Sequence, residues 1–176
     1  MDALHFVVDS VLTFAVYVFL LRLLLQLARA EFRNPLAQAI LALTNWLVMP
    51  LRRIVPAIGR FDTASLLALL AVQLAATLLV DRLFWSGPAH TFGALAVAAL
   101  LTLIVTTIWF YIVVIAIYAL LSFIAPRTYS PAVGILSSLC EPLLAPLRRI
   151  LPVAGGLDFS PLVAIVLLRA LLYLIP

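Results

Sequence analysis

The chain has 176 residues, of which 66% are hydrophobic and 10% charged, and its mean hydropathy is +1.27. Soluble domains carry roughly 45–50% apolar residues, so lipid is the solvent for most of this chain. The net charge of +4 comes from arginine, with no lysine. These arginines flank apolar runs, which points to anionic lipid headgroups as partner and away from nucleic acid, while the lone Cys140 excludes an intrachain disulfide or a cysteine-rich metal site.

In chain order, the first apolar run predicts a membrane span over about 5–28. A signal peptide is a poor reading of it. The segment before it carries Asp2 and no basic residue, and a matching run recurs inside the chain. Asn34-Pro35 has the form of an N-cap followed by proline at the first helical position. A short helix over about 35–48 follows, expected to end before Pro50 because the residue ahead of proline avoids the α region. At 1.5 Å per residue that helix would be about 21 Å long, too short for a core of about 30 Å. Its apolar positions Leu36, Ile40, Leu43 and Leu47 recur at helical spacing, so it is expected to lie in the interface or to dip in and return. Arg52-Arg53, Pro56, Gly59 and Asp62 then lead into a second span over about 63–84. Trp85-Ser86-Gly87-Pro88 breaks the chain. A third span over about 91–125, a second short helix over about 131–144 and a last apolar helix over about 161–176 complete the prediction.

The second half repeats the first. Residues 34–68 align without a gap on 130–164 at an offset of 96. Pro35/Pro131, Pro50/Pro146, Arg52/Arg148, Arg53/Arg149, Pro56/Pro152, Gly59/Gly155 and Asp62/Asp158 are identical pairs. The chain thus divides into two units, 1–84 and 85–176, each with a span, a proline-punctuated motif and a second span. The fold class expected is an all-α membrane protein of about four transmembrane helices in two parallel repeats, each with a short interfacial or re-entrant helix. Arg29, Arg33, Arg52, Arg53 and Arg60 flank the first motif and Arg127, Arg148 and Arg149 the second, against Arg82 alone at the connection between units. The excess predicts both motifs on the cytoplasmic side of a bacterial inner membrane, with the termini and the 85–90 loop outside. The repeats are then related by an axis along the membrane normal.

The doubled motif P-L-R-R-[IV]-[VL]-P-x-x-G-x-[LF]-D, with N/S-P ahead of each short helix, resembles the YggT (YlmG) family of bacterial membrane proteins, whose plant relatives act in chloroplasts. The resemblance covers essentially the whole chain. It departs at Arg60 against Gly156 and at Ala64-Ser65 against Ser160-Pro161. It implies links to osmotic stress, potassium homeostasis and cell-division loci, and to membrane-complex assembly or nucleoid organisation in chloroplasts. It implies no chemistry.

The residues themselves suggest contacts more than catalysis. In Arg52-Arg53 and Arg148-Arg149, adjacent side chains cannot share one helix face, so one can meet headgroups or a partner while the other turns to Asp62 or Asp158. Asp9, Arg22, Gln73, Glu141 and Arg169 are the polar candidates within or beside apolar helices. A charge at a helix centre costs about 2.5–3.5 kcal/mol on insertion scales, so Arg22 and Arg169 are expected to snorkel or to pair locally. Glu141 is expected at a water-exposed rim and Asp9 near the outer end of its span. His5 and His90 fall at the outer side without a CxxCH motif, and Cys140 and Trp109-Phe110-Tyr111 suit packing. No nucleophile–base constellation, P-loop or GxGxxG occurs. The expectation is a non-catalytic scaffold or assembly factor without cofactor, in contact with lipid and with a membrane-protein partner or a second copy. The alternative is a small conduit for potassium or another solute.

Overall fold

A computed structural model describes residues 3–28, 34–55, 62–124, 130–150 and 158–175. Arg29, Arg33, Arg60 and Arg127, and the motif's Pro56, Gly59, Pro152 and Gly155, lie outside the described residues. Six helices account for most of the rest: α1 (Ala3–Leu27), α2 (Pro35–Ile54), α3 (Thr63–Phe84), α4 (Phe92–Ile124), α5 (Pro131–Ile150) and α6 (Ser160–Leu172). Among the described residues there is no strand.

Three helices, α1, α3 and α4, are long and apolar enough to cross a membrane. Each leaves most of its surface uncovered by protein, with Phe6, Val11, Phe14, Leu79, Leu100, Val113 and Leu120 among the exposed side chains. Such apolar exposure fits lipid and not water. The fourth expected span, α6, is described over 13 residues, about 20 Å of helix. It is apolar but shorter than a span.

The helix starts have local causes. Asn34 Oδ1 accepts the Leu36 N–H at 2.9 Å, and Ser130 Oγ accepts the Val133 N–H at 3.3 Å. Asp62 caps α3 by accepting the Ser65 N–H at 3.3 Å, and Thr91 Oγ1 accepts the Ala94 N–H at 3.3 Å. Each removes one of the donors a helix start leaves unpaired.

The ends of α2 and α5 differ from the sequence expectation. Neither helix stops before its proline. α2 runs through Pro50 to Ile54, and α5 through Pro142 and Pro146 to Ile150, each 20 residues long. All three prolines lie on exposed faces. On an exposed face the backbone N–H that proline lacks leaves no unpaired group in the core, so the helix can continue. The ladder continues beyond Pro50, where the Val55 N–H donates to the Leu51 carbonyl at 2.8 Å. At about 30 Å these helices match a bilayer core in length. Their polar faces, not shortness, separate them from the three apolar spans.

Packing divides the chain into two compact units, Met1–Leu23 with Ala39–Ile104, and Leu24–Gln38 with Val105–Pro176. The first buries Val16, Phe19 and Leu20 of α1, Thr44 and Val48 of α2, and a seam of small residues on α3, Ala64, Ser65, Ala68 and Ala76. The second buries Ile112 and Ile115 of α4, Leu139, Cys140 and Leu144 of α5, and Ser160, Pro161 and Ala164 of α6. In the second, Asn34 Nδ2 also donates to the Pro131 carbonyl at 2.6 Å. The offset of 96 carries burial with it: Val16/Ile112, Phe19/Ile115, Thr44/Cys140, Val48/Leu144, Ala64/Ser160, Ser65/Pro161 and Ala68/Ala164 are buried in both members. Small residues at such positions let helix backbones approach closely. Ala68→Leu and Ala164→Leu are therefore expected to destabilise by about 1–3 kcal/mol each through overpacking. Leu67→Ala, on an exposed face, is expected to stay within about 0.5 kcal/mol; unfolding in detergent micelles measures all three.

Candidate functional site

Continuing α2 and α5 through their prolines fixes where the arginines fall. Each helix ends in Arg-Arg-Ile, and each is followed by an aspartate at the head of the next helix. In the first copy Arg52 Nη2 donates to Asp62 Oδ2. In the second, Arg148 Nε donates to Asp158 Oδ2 at 2.7 Å. The partner arginines, Arg53 and Arg149, are exposed. Within each adjacent pair, one guanidinium thus serves the turn and the other faces outward.

The aspartates work twice. Asp62 also accepts the Ser65 hydroxyl at 2.7 Å, and Asp158 Oδ1 accepts the Ser160 N–H at 2.9 Å. Partial burial by itself would raise the Asp158 carboxyl. Hydrogen bonds from Arg148 and from the Ser160 side chain and backbone, with the Arg148 charge, outweigh it and hold the carboxyl below the usual carboxylate range. A depressed carboxylate adds stability above its unfolded value of about 4 and loses it as pH falls through the lower folded value. Burial would lower the Arg148 guanidinium, but hydrogen bonds to Asp158 and Tyr118 and the charges of Asp158 and Glu141 push it up.

The two copies differ in what surrounds this clamp. In the first, Arg22 is 2% exposed and turned inward. Its Nη1 donates to Thr44 Oγ1 at 2.6 Å, Asn45 Oδ1 at 2.9 Å and the Leu41 carbonyl at 3.5 Å, and its Nε to Ser65 Oγ at 3.2 Å. Ser65 passes a bond on to Asp62, so the series Arg22–Ser65–Asp62–Arg52 couples a buried cation to a carboxylate through one hydroxyl. Of snorkelling and local pairing, Arg22 takes the second. In the second copy, 96 residues on, Tyr118 replaces Arg22, Cys140 replaces Thr44, Glu141 replaces Asn45 and Pro161 replaces Ser65. There Arg148 Nη1 reaches Glu141 Oε2 at 2.8 Å, and the aspartate is the more open: the Asp158 side chain is 36% exposed against 10% for Asp62.

The outer faces of α2 and α5 diverge as well. Exposed Leu36, Trp46 and Met49 of α2 become Ala132, Pro142 and Ala145 of α5. The lost bulk leaves a groove lined by Ala28, Ser137, Ser138, Glu141, Pro142 and Ala145.

The remaining candidates are scattered. Gln73 is buried and its Nε2 donates to Thr77 Oγ1 at 3.3 Å. The Arg169 guanidinium lies 5.0 Å from the centroid of the Trp109 ring. Asp9 is exposed on α1. His5 lies against Phe84, with ring centroids 4.4 Å apart. His90 Nδ1 is 2.6 Å from Asp81 Oδ1, and its ring packs tilted against Trp85 with centroids 4.5 Å apart. Among the described residues, no group of three or more His, Cys, Asp or Glu gathers at metal-binding distance. Burial pushes the Cys140 thiol up to about 12; Arg148 lowers it and Glu141 raises it further. Thr44 and Tyr118 were not singled out from sequence, and Ser65 was named only as a departure between the two copies. The signal available was the set of core positions where the two copies differ in polarity.

These features define a polytopic α-helical membrane protein in which an amphipathic helix is clamped to the helix that follows it, twice. The CCB3/YggT family model matches residues 1–83 and 97–175, and the chain belongs to that family. The chain is 36% identical over 154 residues to an uncharacterized protein of Pseudomonas aeruginosa, covering 86% of this chain and 77% of that one. It is 33% identical over 168 residues to the uncharacterized protein YggT of Escherichia coli K12, covering 96% of this chain and 86% of that one. An uncharacterized protein of Vibrio alginolyticus is 33% identical over 163 residues, 93% and 88% of the two chains. No solved structure matches.

Two outcomes are expected. Ser65→Ala, which strips acceptors and donors from two charged groups, should destabilise by about 1–3 kcal/mol. Arg22→Met, which leaves Thr44, Asn45 and Ser65 without their shared donor, should cost at least as much; a loss well below that of Ser65→Ala in detergent unfolding contradicts the relay. Cys140 should alkylate slowly at pH 8 in the folded protein and fully once denatured. A thiol raised above its unfolded value of about 8.5 contributes stability below that pH and loses it as pH rises towards the folded value.

Proposed function

We propose that the protein is a non-catalytic scaffold or assembly factor of the bacterial inner membrane, with an outward arginine as the contact point of each unit, Arg53 in the first and Arg149 in the second. The supporting observation is the division of labour inside each Arg-Arg pair. Arg52 and Arg148 are taken up by Asp62 and Asp158, while Arg53 and Arg149 stand exposed at the ends of amphipathic helices. An exposed guanidinium beside apolar Ile54 or Ile150 suits a membrane-surface partner that offers carboxylate or phosphate. Both motifs face the cytoplasm in this reading, on the arginine asymmetry around short loops. Roles in osmotic response, the cell envelope and division, or membrane-complex biogenesis, implied by the family resemblance, fit such a scaffold. A potassium or solute conduit is the competing reading. Against it, the buried cation Arg22 is taken up by Thr44 and Ser65.

Cysteines at Arg53 and at Ser86, each in a Cys140→Ser background, test the orientation: they should label from opposite sides of the membrane. Affinity capture from solubilised membranes tests the role. The wild type should retain a defined membrane-protein partner that Arg53→Glu with Arg149→Glu loses, with unfolding changed by less than about 0.5 kcal/mol for each exposed substitution. Potassium flux in liposomes above the empty control, with no arginine-dependent partner, would replace the scaffold with the conduit.

A further inference from the structure

We propose that the groove on α5 binds a phospholipid whose headgroup carries a primary ammonium beside its phosphate, with the ammonium on Glu141 and the phosphate on Arg148. The groove offers about 480 Å³, within the range of clefts that hold small ligands. Its lining residues all lie in the second unit, Ala28 at the end of α1 and Ser137, Ser138, Glu141, Pro142 and Ala145 along one face of α5. Ala28 gives the depth. It closes the helix of a candidate span, where its N–H donates to the Leu24 carbonyl at 2.8 Å, and Arg29 follows it in sequence. The apolar run thus ends at the groove, at the level of lipid headgroups. Leu27, exposed beside Ala28, offers apolar surface to an acyl chain.

The internal repeat shows what sets this face apart. At the same positions of α2 the first copy has Leu41, Ala42, Asn45, Trp46 and Met49. Serine hydroxyls and a carboxylate replace Leu41, Ala42 and Asn45, while the exposed Trp46 and Met49 give way to the smaller Pro142 and Ala145. Charge then selects the occupant. Glu141 Oε2 accepts from Arg148 Nη1 at 2.8 Å, so an acid and a base stand side by side there, both partly exposed. A net anionic headgroup would be opposed by Glu141 and a bare ammonium by Arg148, whereas a zwitterion matches both. Among the described residues, Glu141 Oε1 and the Ser137 hydroxyl have no hydrogen-bond partner, and they are acceptors for the N–H groups of an ammonium. A quaternary ammonium has no N–H to give them, and the lining contains no aromatic ring to hold its methyl groups. Bonds to Asp158, Glu141 and Tyr118 do not exhaust the donors of Arg148, and the remainder suit phosphate oxygens.

Native mass spectrometry of the full-length chain, delipidated in detergent, provides the test, with phosphatidylethanolamine, phosphatidylcholine and phosphatidylglycerol of identical acyl chains added in turn. A single phosphatidylethanolamine per chain should be retained about tenfold more tightly than either of the others. Glu141→Gln should remove that preference. So should Ala145→Met, which fills the groove with the side chain of the first copy, while Met49→Ala in the first copy should leave the preference unchanged. Circular dichroism identifies a variant that does not fold, and Ser137→Ala, which removes one acceptor without disturbing the helix, then stands in its place with a loss of about threefold. Phosphatidylethanolamine held no more tightly than the other two lipids overturns the site. A preference unmoved by the groove variants also overturns it, as does a copurifying polypeptide in the groove that phosphatidylethanolamine does not displace.

Discussion

The bond between an arginine at the tail of an amphipathic helix and an aspartate at the head of the next helix is the constraint on which the rest of each unit depends. Asp62 caps its own helix and binds Arg52 with the same carboxylate, and Asp158 binds Arg148 while accepting the N–H of Ser160 at the start of α6, so in each copy the two helix ends are held together. That requirement explains why α2 and α5 continue past their prolines. A helix that stopped at Pro50 or Pro146 would not carry Arg52 or Arg148 in register with the aspartate. It also explains why the second arginine is exposed, because adjacent side chains on a helix diverge.

The two clamps share a geometry and differ in surroundings. The first lies over a buried guanidinium whose neutral acceptors come from α2 and α3. The second lies beside a carboxylate on its own helix, with Tyr118 in place of the buried arginine. Placing Glu141 at the position of Asn45 and removing the cation at position 118 leave the second copy's carboxylate to be paired from Arg148. Exposure follows the same division, with Asp62 nearly enclosed and Asp158 partly open.

Much of this was legible in the sequence. The spans α1, α3 and α4 lie within two residues of their expected limits, because long apolar runs have little freedom in a membrane. The helix starts at Pro35 and Pro131 followed from cap chemistry. The ends of α2 and α5 were not legible from proline alone. The rule that helices avoid the residue before proline is local, whereas the outcome depends on which face the ring occupies. Pro50, Pro142 and Pro146 occupy exposed faces. The pairing of Arg52 with Asp62 and of Arg148 with Asp158 followed from spacing and charge. The inward turn of Arg22 did not, because snorkelling and pairing are separated only by knowing that Thr44, Asn45 and Ser65 converge on it.

A double-mutant cycle at the first clamp is the most direct measurement of this account. Arg52→Met, Asp62→Asn and the combined variant would be unfolded in the same detergent and their free energies compared with the wild type. The account predicts that the double variant loses less than the sum of the singles, with a coupling energy of about 1 kcal/mol or more at Arg52–Asp62 and a smaller one at Arg148–Asp158, whose carboxylate is the more exposed. Losses at the first clamp that add to within about 0.5 kcal/mol would mean that the charges do not hold the helices together.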